Sequence, residues 1–383
     1  MEQVMSWLKP AILAATSLVS LSFLTQIAEA RNYEHWTHYG LRPLGMGNAY
    51  VAVADDFNAL FYNPAGLARL KTWDMEILNP YVMATSNVKG LVDDVQNNLS
   101  DGSTSDTLEL LEKHTGENFG VALGLTPHFI FQGFGVGLGI EGSMQAIFHR
   151  DVTVDLDAGV RAVLPVAFAK NFLNNRLSIG AAVKFRGRAG VDQNFSMDDI
   201  EAFQNKSSTT TPVAGTPADK KELKEYVKAG TGYGADLGLL FTPTKVMEPT
   251  IGVSITDIGG TSYDAYDIKG SSLGAPDIQL ASLNVGLSAK PWRNDWSYIT
   301  TAIDFQSINQ PFSFSKKLAM GVEGGLGNIL KIQTGLYQGY ATAGLQFDVG
   351  LLNLRLITYA EEVGTSAGYR PDRRVAVQLK LIL

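Results

Sequence analysis

Long stretches of the chain alternate, residue by residue, between apolar and polar side chains. Val152, Val154, Leu156, Ala158, Val160 and Ala162 are apolar; Asp151, Thr153, Asp155, Asp157 and Arg161 between them are not. Leu177, Ile179, Ala181, Val183 and Phe185 alternate with Ser178, Gly180, Ala182, Lys184 and Arg186. The chain closes the same way, with Val375, Val377, Leu379, Leu381 and Leu383 set against Arg374, Ala376, Gln378 and Lys380. A period of two is the mark of a β-strand with one face in an apolar medium. In a soluble sandwich that face is the core. In a membrane barrel it meets lipid, and the polar face lines a lumen.

The pattern predicts strands near 73–86, 119–131, 134–148, 150–168, 176–191, 230–242, 248–258, 280–290, 296–306, 317–326, 328–338, 341–350, 351–360 and 372–383. That is an even number, as bacterial barrels need. The long connections, 87–118, 192–229, 259–279, 307–316 and 361–371, all follow odd-numbered strands, whereas Gln132-Gly133, Asn171–Asn175, Pro243–Met247 and Pro291–Asp295 after even ones are short. Sorting of loops onto one face is the asymmetry of outer-membrane barrels. Helical spacing is expected in two long loops, over Asp106–His114 and Ala218–Ala229, around a Ser/Thr/Pro-rich tip, Ser207–Pro217. Leu108, Leu111, Leu223, Tyr226 and Val227 would form their apolar faces, for packing on the rim or for landing a ligand.

Composition narrows this further. The chain is 45% hydrophobic and 18% charged, with 39 glycines, yet beyond its start no run reaches the length of a transmembrane helix. A net charge of −7 argues against nucleic acid as partner. The absence of cysteine removes thiol chemistry, disulfides and thiolate metal sites. Residues 1–30 read as a signal peptide: Lys9, then the apolar run Ala11–Leu24, then Ala28-Glu29-Ala30 for cleavage. The expected destination is the outer membrane, with lipid around the barrel. His35 and His38 are spaced three apart but lack a third ligand, so no metal site and no cofactor is expected.

The stretch Leu41–Leu70, LRPLGMGNAYVAVADDFNALFYNPAGLARL, is too interrupted for a strand. Gly45 and Gly47 around Met46 permit a close-packed backbone. Asp55-Asp56 suits a solvated turn or a cap for a helical turn over Phe57–Tyr62, which Asn63-Pro64 ends before a second turn from Ala65. This stretch, through Gly45-Met46-Gly47, Ala49–Asp56 and Asn63-Pro64-Ala65-Gly66, resembles the N-terminal signature of the FadL/TodX long-chain fatty-acid transporter superfamily and its PorV-type and TraF-type relatives. Residues 335–350 and 361–374 resemble C-terminal hairpins of the PorV/TraF-like branch. The resemblance implies an all-β, transmembrane antiparallel barrel of about 14 strands, residues 71–383, with residues 31–70 as a hatch inside it. A monomer is expected, and, with no Ser/His/Asp arrangement, phosphate loop or metal cluster in the sequence, not an enzyme. The implied role is passive uptake of hydrophobic or amphipathic molecules or, in the PorV-like branch, docking of another envelope protein.

Lys184, Arg186 and Arg188 share the parity opposite to the apolar face, so they point into the lumen. Three cations there would hold the carboxylate or phosphate of an amphiphile, or pair with inward acids such as Asp155 and Asp157. Gly135, Gly137 and Gly139 permit a bend in the third strand, and Pro127 and Pro165 each remove a ladder donor. In the superfamily an inward kink of one wall strand opens a lateral route to the membrane. Close packing of the wall on Gly45–Gly47 explains these glycines equally well. Trp73, Trp292, Trp296 and Tyr298 fall at strand ends and suit an interfacial girdle. His128 and His149 have no evident serine partner.

Overall fold

The computed structural model describes residues 40–98, 104–151, 153–196, 199, 226–266, 274–327, 329–349, 352–364 and 366–381. Residues 1–39, with the expected signal peptide, His35 and His38, and most of the 192–229 loop lie outside these. The described strands close into one 14-stranded antiparallel barrel. They are β1 (Asp74–Glu76 and Tyr81–Thr85), β2 (Asn118–Leu125 and His128–Phe131), β3 (Phe134–Gly137 and Gly139–Phe148), β4 (Val154–Phe172), β5 (Leu177–Phe195), β6 (Val227–Phe241) and β7 (Thr250–Thr256). The circuit continues through β8 (Ser282–Arg293), β9 (Ser297–Phe305), β10 (Leu318–Leu326), β11 (Leu330–Tyr337), β12 (Tyr340–Val349), β13 (Leu352–Glu362) and β14 (Pro371–Leu381). Pairing of β14 with β1, from Arg374↔Thr85 to Gln378↔Tyr81, closes it. Every alternating segment of the sequence has its strand.

Parity follows the sequence pattern. On β5, Ile179, Val183 and Phe185 face outward while Ser178, Ala182, Lys184 and Arg186 are buried inside. One aromatic breaks the expected girdle. Trp73, Trp292 and Trp296 are exposed, but Tyr298 shares the parity of Thr300 and Asp304 and donates its hydroxyl to Glu323 inside the barrel, at 2.8 Å. The 87–118 loop carries helices α1 (Val88–Asn98) and α2 (Thr104–Lys113). Leu111 packs with Phe119 and Phe148 on the rim. The helix expected up to Ala229 does not reach it, because Val227–Ala229 already belong to β6; residues 218–225 lie outside the described part.

The barrel's core is its own N-terminal segment. Residues 40–70 fold as two short helices, α3 (Leu41–Gly45) and α4 (Ala59–Tyr62), and a 3-10 turn, Pro64–Arg69. Asn63 ends α4 and caps that turn by accepting the Ala65 N–H. Tyr50, Phe57, Phe61, Leu60 and Leu67 are buried against small wall residues such as Ala167, Ala182, Ala302 and Ala319. Room for the segment comes from inward glycines. A Cβ on Gly252 would stand 2.6 Å from the Val51 carbonyl oxygen, one on Gly238 2.9 Å from Pro64 Cδ, and one on Gly335 2.7 Å from Gly47 Cα. Gly180, Gly286, Gly321 and Gly344 meet the same segment in the same way. Strand glycine here creates space for a second backbone.

Candidate functional site

Inside the barrel the segment is held by polar contacts centred on Arg42. Its guanidinium makes a two-pronged contact with Glu323 of β10, 2.7 Å on each arm. It also donates to Tyr50 Oη at 2.6 Å, Asp55 at 2.8 Å and Asp56 at 3.0 Å. Asp55 and Asp56 are therefore charge partners and not a solvated turn, while Asp56 also accepts the Asn58 N–H at 2.9 Å before α4, in keeping with the cap that the sequence offered as the alternative. Burial alone would push the Asp55 carboxyl up; the Arg42 guanidinium, with Lys290 behind it, outweighs this and holds it at about 2. On β9, Asp304 Oδ2 accepts the Tyr50 and Val51 N–H groups at 2.5 and 2.7 Å. On β12, the Thr342 hydroxyl accepts from Gly47 N–H and donates to the Gly45 carbonyl. Gly47 has φ +60°, and the backbones of Met320 and Leu336 leave no space for a Cβ there.

Lys184 and Arg186 do point inward, but their charges are matched. Lys184 Nζ lies 2.5 Å from Asp236 on β6. Arg186 makes two bonds to Asp257, just past β7, at 2.9 and 2.8 Å. The pairing acids are not those the sequence suggested: Asp155 meets His149 and Asn194, and Asp157 meets Arg161. Arg188 lies further toward the long-loop face, half-buried.

Above the segment, on the long-loop side, is a polar cavity of about 60 Å³, space for a few waters. Asn48, Tyr62, Gln306, Lys316, Lys317 and Tyr337 are among its walls.

The wall itself is interrupted at one level. Four residues of β1 (77–80) face three of β2 (125–127), which offsets the pairing by one residue. The registers of β3 with β2 and β4 run on unshifted past Leu138, whose N–H donates to the Pro127 carbonyl at 2.8 Å. Pro80 and Pro127 lie in the break and Pro165 of β4 beside it, each without a donor. At the break the Asn79 side chain bridges β1 to β2: fully buried, it donates to the Thr126 carbonyl at 2.8 Å and accepts from the Thr126 N–H at 2.6 Å. Ile77 and Leu78 face outward beside it. Behind the break stands the inner segment. Cβ atoms on Gly135 and Gly137 would lie 2.9 Å from Leu60 methyl carbons. These wall glycines thus pack on Leu60, whereas Gly45–Gly47 pack on β10–β12. Gly139 resumes β3 on the far side of the break.

Sequence reasoning missed one cluster. Asp74 and Glu76 of β1 and His128 of β2 converge beneath the break, with Lys380 of β14 beside them. Asp74 and Glu76 share a parity, and that signal was available.

No protein-family model and no curated protein matches the chain. Among solved structures it is similar to a mutant form of the TodX monoaromatic hydrocarbon channel, at 14% identity over 89% of this chain and 96% of that one, with a TM-score of 0.50. It is also similar to the Pseudomonas putida toluene transporter TodX, at 14% identity over 88% and 95%, TM-score 0.47. A Pseudomonas aeruginosa FadL homologue matches at 14% identity over 88% and 97%, TM-score 0.46. At such identity the likeness speaks for the fold alone, a closed antiparallel barrel like that of the TodX channel.

Proposed function

We propose that this chain, built on the fold of the FadL/TodX barrels, is a non-enzymatic outer-membrane barrel for passive uptake of hydrophobic or amphipathic small molecules, with residues 31–70 as its hatch. The observation that carries the reading is the break in the wall. Strand ladders stabilise a barrel, and lipid cannot satisfy an open backbone group. The break between β1 and β2, closed by the Asn79 side chain and backed by hatch residues, is the place where the wall would open at least cost. A molecule entering from the long loops would pass the polar cavity, displace the hatch and leave sideways at the seam. Gly135, Gly137 and Gly139 serve this route by letting β3 bend where Leu60 withdraws. A ligand-holding role is weakest for Lys184 and Arg186, which Asp236 and Asp257 already neutralise.

The close filling of the described lumen by the hatch and by paired charges favours a second reading, a barrel that docks another envelope protein. Extraction separates the two. The barrel is purified in mild detergent and denatured, and the released molecules are identified by mass spectrometry against an unrelated barrel. A stoichiometric amphiphile supports uptake. Bulk membrane lipid alone, together with a protein crosslinked to the long loops, supports docking.

A further inference from the structure

We infer that Asp74, Glu76 and His128 form a binding site for one divalent transition-metal ion of the zinc class, clipping β1 to β2 just below the break in the wall. The argument begins with the tautomer. His128 Nδ1 lies 2.9 Å from the Thr126 carbonyl, which can only accept, so Nδ1 carries the proton. That leaves a lone pair on Nε2, and the arrangement is the outer-shell contact that fixes metal-binding histidines. Nε2 is directed at Asp74 Oδ2 and Glu76 Oε1, 3.5 Å from each. The side chains of His128 and Glu76 are almost fully buried, whereas that of Asp74 is partly open. Three lone-pair donors thus converge on one point that a cation can occupy.

The distances choose between a proton and a metal. An imidazolium–carboxylate bond closes to about 2.7–2.9 Å, shorter than either separation here. Four ligands at about 2.1 Å around a tetrahedral ion stand roughly 3.4 Å from one another, which fits both. Imidazole nitrogen with carboxylate oxygens suits zinc and its neighbours, and the open side at Asp74 leaves a position for water. Glu76 is oriented by Asn79, whose amide donates to Oε2 at 2.8 Å. Phe57 of the hatch stacks on the His128 ring, centroids 4.2 Å apart and nearly parallel. The ion would therefore tie together both strands, the residue bridging the seam and the hatch. Lys380 contacts Glu76 and lies 3.9 Å from Asp74. It balances the two carboxylates without metal and competes with the ion.

The test uses the full-length barrel in detergent, with zinc chloride titrated by calorimetry and cobalt(II) followed by visible absorption. One saturable zinc per barrel and the intense bands of tetrahedral cobalt are expected. Glu76→Gln and His128→Gln should each weaken binding by more than the roughly 10–100-fold that loss of an outer partner costs. Heat-modifiable gel migration checks that they fold. Lys380→Met keeps every ligand and should tighten binding. Absence of saturable zinc binding overturns the site. So does zinc binding that all three variants leave unchanged, which marks an adventitious surface ion.

Discussion

Arg42→Met is the sharpest probe of how the hatch is seated. Methionine keeps much of the length of the side chain and removes its charge. The change leaves Glu323, wholly buried, facing Asp55 and Asp56 with no guanidinium among them. Breaking a buried pair by removing one partner costs about 3–5 kcal/mol. At about 1.4 kcal/mol per tenfold, the ratio of seated to unseated hatch falls by roughly a hundred to a few thousand. The strand ladders are untouched, so the barrel should still assemble. Single-channel conductance in planar bilayers reads the hatch, and heat-modifiable gel migration reads the barrel. The expected result is frequent openings in a folded barrel. Adding Glu323→Gln should restore part of the loss, because the stranded charge is then gone. Conductance equal to the parent, or a double variant whose effects simply add, would refute the view that this pair holds the hatch.

Further expectations rest on separate features. Gly252→Ala places a methyl 2.6 Å from the Val51 carbonyl oxygen, so an overpacking cost of about 1–3 kcal/mol should appear as leak currents from a folded barrel. Val183→Lys, at an outward position of β5, should impair assembly in vesicles by about 2–4 kcal/mol if the residue lies near the bilayer midplane. Thr153→Lys, of lumen parity, should assemble normally. Asp55 is held at about 2, below its ordinary 3.8, so its contribution to seating is complete above that ordinary value and fades as pH falls toward 2. Conductance should rise over that acid range, and Asp55→Asn should flatten part of the rise.

What the sequence disclosed and what it hid divide along a physical line. Strands, parity and loop sorting depend on neighbours one or two residues apart, so alternation such as that of 177–186 was enough. Even Tyr298 was readable, since it shares parity with Asp304; its place at a strand end outweighed that signal. The segment inside the barrel was legible only as an interrupted stretch. Its anchor joins Arg42 to Glu323 across 281 residues, and nothing local distinguishes Glu323 from any other lumen acid. Likewise Lys184 could be assigned inward but not matched to Asp236, because that choice depends on the stagger between β5 and β6. The inward glycines read as strand weakeners one at a time. Only the closed barrel shows that Gly238, Gly252 and Gly335 make room for the same segment.

The central claim is that the seam between β1 and β2 opens for cargo. The chain has no cysteine, so Asn79→Cys with Thr126→Cys places one removable lock there. Uptake of a fluorescent long-chain fatty acid into proteoliposomes is then compared with the lock oxidised and reduced, mass spectrometry confirming the disulfide. The account predicts that oxidation stops uptake and reductant restores it. Equal uptake in both states, with the bond confirmed, would contradict a lateral route.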